Sequence, residues 1–83
     1  MATAHIASDR AQYRNRLREA RESAGISMDK LQELSGVAKP TIWGIDKGHW
    51  PTETVRVKLA NALNVNAGWL FWVEGEDGEV PKR

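Results

Sequence analysis

Between residues 39 and 52 the chain reads KPTIWGIDKGHWPT, a run whose side chains suit contact with a polyanion better than covalent chemistry. Lys39 can donate to a phosphate oxygen or to a guanine edge. Thr41 can meet a phosphate or a thymine methyl, or simply bond its own helix backbone. Trp43 follows an apolar residue, Ile42, so its ring points outward, where it can lie against thymine methyls or sugars. Gly44 beside it lets a backbone approach a ligand closely. Lys47 adds a second cation to this run, and His49-Trp50 forms a short loop before Pro51. Thr52, with the first amides of the helix it opens, can hold a phosphate, although capping alone also explains it.

Catalytic chemistry is poorly supplied. The chain has 2 histidines and no cysteine, and no GxxxxGK phosphate loop. His5 lies near the N-terminus, and His49 is a lone loop histidine without a second ligand at metal-binding spacing. The acidic stretch EGEDGEVPKR lacks the ligand spacing of a calcium loop. The sequence therefore predicts no enzyme, no metal and no cofactor.

With 83 residues, 41% of them hydrophobic and 28% charged, the chain suits one small folded core. Without disulfides, stability must come from helix packing and from dimerisation. The net charge of +1 is a sum of opposed segments. Residues 1–73 carry ten Lys/Arg against seven Asp/Glu, whereas residues 74–83 carry two against four. Five arginines lie between Arg10 and Arg21, a phosphate-facing stripe or a plain solvated helix face. No secretory signal and no membrane-length apolar run is visible, so a cytoplasmic protein is expected.

The elements that must position these residues read as helices throughout. Tyr13, Leu17, Ala20 and Ala24 share one face of a helix over 9–24. Gly25 ends it, and Ser27 caps a second helix over 28–35 with Leu31 and Leu34 inward, stopped by Gly36. Ala38-Lys39-Pro40 opens a third helix, with Ile42 and Ile45 toward the core and Gly48 at its end. Thr52 caps a fourth that runs to about Leu63, its inward residues drawn from Val55, Val57, Leu59, Ala60 and Leu63, and Asn64 closes it. Asn66 caps a fifth, 67–73, before an acidic tail. The expectation is an all-α, five-helix bundle over 9–73, with a flexible N-terminus at 1–8 and a flexible acidic tail at 74–83.

Two short helices joined by a tight turn containing Gly36 form the unit that places its second helix in a DNA major groove. The run GISMDKLQELSGVAKPTIWGIDKG, with a proline after a short loop and then KLANALNVNAGWL, resembles the phage repressor/Cro group, or XRE family. The resemblance covers roughly residues 16–70. It implies a lambda repressor-like DNA-binding domain acting as a transcriptional regulator, a repressor held as a homodimer on a palindromic operator in double-stranded DNA. Ser27, Lys39, Pro40, Thr41, Trp43, Gly44, Lys47, Trp50 and Thr52 are its candidate DNA contacts. It also implies a partly buried ion pair between Arg21 and Asp46.

Three positions depart from that pattern. Met28 stands where a glutamine usually bonds a phosphate, Gln32 where an alanine lets two helices cross closely, and Gly44 where a polar side chain often reads bases. A different class of function is a helix-turn-helix module used mainly to bind protein, with Trp43, Trp50 and Trp72 as anchors. An antitoxin that binds both DNA and a toxin is a third. The apolar run GWLFWV in the fifth helix predicts a dimer interface of Trp69, Phe71 and Trp72.

Overall fold

The computed structural model describes residues 12–75 and 80–83. The expected flexible N-terminus, His5 and the start of the expected first helix lie outside the described residues, as do positions 76–79 of the tail. The chain forms strand β1 (Gln12–Asn15), helices α1 (Leu17–Ala24), α2 (Met28–Ser35), α3 (Lys39–Asp46), α4 (Glu53–Leu63) and α5 (Ala67–Leu70), and strand β2 (Phe71–Glu74).

The middle of the chain is punctuated locally. The Ser27 hydroxyl accepts the Lys30 N–H at 3.0 Å and opens α2. Gly36 closes it at φ 77°, a left-handed conformation that glycine adopts without strain. The Ser35 hydroxyl secures the turn, donating to the Leu31 carbonyl at 2.6 Å and accepting the Val37 N–H at 3.1 Å. Thr52 accepts the Val55 N–H, and Asn64 ends α4 in the left-handed region. Asn66 caps α5 through the Gly68 N–H at 2.7 Å.

One core joins these helices. Leu17 of α1, Leu31 of α2, Ile42 and Ile45 of α3, Leu59 of α4 and Leu70 of α5 are its largest fully buried side chains. Both buried isoleucines of α3 lie on one face, so the opposite face of that helix is turned outward.

The ends of the chain differ from an all-α reading. β1 and β2 pair antiparallel, with Gln12 opposite Glu74, Tyr13 opposite Val73, Arg14 opposite Trp72 and Asn15 opposite Phe71. The helix that carries Leu17 and Ala20 therefore starts at Leu17, after the strand. Asn15 sets that start, its side-chain oxygen accepting the Leu17 N–H at 3.0 Å while the Arg16 N–H donates to the Leu70 carbonyl at 2.8 Å. Tyr13, expected on the inner face of a helix, is exposed on the ribbon, and Ala24 and Leu34 are exposed as well.

The fifth helix stops at Leu70, and the aromatic and β-branched residues that follow take the extended form they favour. This corrects the expected interface at Phe71, which is 5% exposed and part of the chain's own core. Trp69 and Trp72 are partly buried around the Arg16 guanidinium, whose carbon lies 4.7 Å and 4.1 Å from their ring centres. Arg16 also donates to the Trp69 carbonyl. In the tail, the Lys82 carbonyl accepts the Asn66 N–H, and the Lys82 ammonium lies over Trp69.

Candidate nucleic-acid interface

Helix α3 is held at three points, which fixes the direction of its outer face. Beneath it are Ile42 and Ile45. At its C-terminal end, Asp46 is 3.5 Å from Arg21 of α1, and the Asn15 amide donates to the Ile45 carbonyl at 3.2 Å. At its N-terminal end Ala38 offers no capping side chain, and Gln32 of α2 takes that role by accepting the Lys39 N–H at 2.6 Å. Gln32 is exposed, and its side chain caps an amide that a smaller residue would leave uncapped. Pro40 in the first turn costs nothing, because its missing N–H would have had no partner within the helix.

The outer face carries Lys39, Pro40, Trp43 and Lys47, all exposed. Trp43 is 55% exposed, a large solvent-facing area for a tryptophan on a well-packed helix. The Lys47 ammonium lies 4.5 Å from its ring centre, so the cation and the aromatic plate form one unit. Gly44 and Thr41 flank this unit and are half-buried. A Cβ on Gly44 would meet only the Cβ of His49, at an ordinary 3.8 Å, so packing within the chain does not demand a glycine there.

The Lys39 ammonium is 2.8 Å from the Asp29 carboxylate in the first turn of α2, and both side chains are largely exposed. Asp29 carries no signal of this role in the sequence, since an acid in a first helical turn is ordinary and its partner lies across the turn of the motif. Met28 packs partly buried against the core.

The remaining candidates divide. Ser27 and Thr52 are exposed and already accept backbone N–H groups of their own helices. Trp50 turns inward, 4.9 Å from Tyr13 and 5.7 Å from Phe71 between ring centres. Arg56 lies over the Trp50 ring at 4.8 Å, and the whole group ties the loop after α3 to the ribbon. Among the described residues there is no cluster of metal-ligating side chains. Nor is any described helix long and apolar enough to cross a membrane.

A helix-turn-helix family profile matches residues 17–70, from the first residue of α1 to the last of α5. A protein of Bacillus subtilis (strain 168), named as the uncharacterized HTH-type transcriptional regulator YgzD, is 32% identical over 65 residues. Those residues make up 77% of this chain and 98% of that protein. The match spans the helices that brace α3 as well as α3 itself, and the chain belongs to the XRE family of helix-turn-helix proteins.

Proposed function

We propose that this chain is a sequence-specific DNA-binding transcriptional regulator that lays α3 in the major groove of double-stranded DNA. The observation that carries the reading is the two-sided character of α3. Ile42 and Ile45 are fully buried on one side, while Lys39, Trp43 and Lys47 stand exposed on the other. The lysines supply charge toward phosphates, Trp43 supplies contact area toward bases, and the exposed Ser27 and Thr52 flank the same groove edge. Two copies bind as a symmetric pair on a palindromic operator, because one recognition helix buries too little surface for operator-grade affinity. Repression follows from occlusion of the promoter.

A module used mainly to bind protein is less well supported. Of its expected anchors, Trp50 turns inward onto Phe71 and Trp72 is partly buried on Arg16, which leaves Trp43, with Lys47 over its ring, as the one exposed anchor of the three.

The test is selection of bound duplexes from a random pool at two salt concentrations. The expected outcome is a motif with two inverted half-sites about one helical turn apart. Binding that falls with salt but enriches no motif would show attraction to phosphates alone and overturn the sequence-specific reading.

A further inference from the structure

We propose that α3 discriminates sequence through the C5 methyl groups of thymine, with Trp43 as the reading surface. The inference rests on the DNA-binding function proposed above and names what that helix recognises. Recognition helices commonly discriminate by side-chain donors and acceptors aimed at base edges, with apolar contact to the thymine methyl as the other available code. In this α3 polar side chains are few, and its lysines are the groups proposed above to meet phosphates. The Lys39 ammonium is engaged by Asp29 at 2.8 Å, and the Lys39 N–H by Gln32 at 2.6 Å. Thr41 and Gly44 are half-buried, and of the outward residues Pro40 has no side-chain donor, Trp43 has its indole N–H, and Lys47 has an ammonium that lies over the Trp43 ring.

What the helix offers instead is apolar surface of defined shape. Lys47 stands over the Trp43 ring at 4.5 Å, which restrains the indole and sets a cation beside it where a phosphate would lie. Trp43 remains 55% exposed in that arrangement. Beside the ring, Gly44 leaves a notch that no contact within the chain requires, since a Cβ there would reach only His49 at 3.8 Å. A glycine weakens a helix, and its place next to the exposed Trp43 ring fits a group that enters the notch from outside. A methyl projecting into the major groove has the size and the apolarity to do so.

The test uses a duplex recovered by selection and resynthesised with deoxyuridine in place of thymidine, position by position. Uracil keeps the O4 acceptor and the base pairing and lacks only the methyl, so a bond from the indole N–H is preserved while the apolar group is removed. Burial of one methyl group corresponds to about fourfold in affinity. Wild type is expected to bind more weakly by about that factor at each thymine lying under Trp43, whereas Trp43→Ala binds the two duplexes equally. Equal affinity of wild type for both duplexes overturns the methyl inference and leaves DNA binding standing. An undiminished methyl effect in Trp43→Ala overturns the assignment to Trp43. Failure of folded wild type to bind any duplex overturns the DNA-binding reading itself, and this inference with it.

Discussion

Arg21 of α1 reaches Asp46 at the last turn of α3 across 3.5 Å, and the Asp46 side chain is 2% exposed against 14% for Arg21. The contact is single, for the Arg21 Nε and the Asp46 Oδ1 have no hydrogen-bond partner among the described residues. Removing the arginine strands a buried carboxylate, with only the 65% exposed Arg18 nearby at 3.9 Å. Arg21→Met should therefore lower stability by about 3 kcal/mol, since breaking a buried pair leaves the surviving charge uncompensated. At roughly 4–8 °C per kcal/mol for a chain of this size, a thermal melt reads the loss easily. The double variant Arg21→Met/Asp46→Leu should recover much of it, because a buried pair exchanged for apolar groups is often neutral. A melt of Arg21→Met within error of wild type would show that the pair contributes nothing.

The ion pair between Lys39 and Asp29 competes with any phosphate for the same ammonium. Both partners are largely exposed, so the pair is worth at most about 1 kcal/mol. Asp29→Asn frees the lysine and removes a negative charge from the face proposed to meet DNA. Its affinity for a selected duplex should rise up to about fivefold, and Lys39→Ala should flatten the salt dependence by about 0.9 in slope for the one phosphate it no longer neutralises. Unchanged affinity in Asp29→Asn, together with an unchanged slope in Lys39→Ala, would place Lys39 away from the phosphates.

Gly44 separates folding from binding. Helical alanine is favoured over glycine by about 0.8–1 kcal/mol, and the nearest atom to an added Cβ is His49 Cβ at 3.8 Å. Gly44→Ala should melt several degrees higher than wild type while binding a selected duplex more weakly. A variant that is both more stable and equally tight in binding would mean that nothing enters the space beside Trp43.

Trp72 faces Arg14 across the ribbon and stacks on Arg16 at 4.1 Å. We propose that Trp72 and its neighbour Trp69, which keep part of their surface exposed while packing on Arg16, form the contact between two copies. In Trp72→Glu the new carboxylate is placed near the Arg16 guanidinium, and a charge enters the proposed contact. Sedimentation equilibrium should show a shift toward monomer. Equal masses for the two proteins, with matching circular dichroism, would exclude Trp72 from that contact.

The helix-turn-helix unit was legible in the sequence because its signals are local. Ser27, Gly36, Thr52 and Asn64 each start or stop a helix through a bond or a backbone angle within four residues, and no distant partner is needed to interpret them. The outward placement of Trp43 followed in the same way, from the apolar residues Ile42 and Ile45 beside it. The ends of the chain carried no such signal. Tyr13, Leu17, Ala20 and Ala24 have helical spacing, yet residues 12–15 are extended because they bond to residues 71–74, with Arg14 and Glu74 paired 60 positions apart. Strand pairing is a non-local event, so a helical spacing over so short a stretch is overridden when a partner strand lies alongside. The same holds for the finer shape of the site. Sequence alone places Lys39 at the start of α3, but the close approach of α2 and α3 brings Asp29 to its ammonium and Gln32 to its amide, and that approach is decided by how the two helices pack on Leu31 and Ile42.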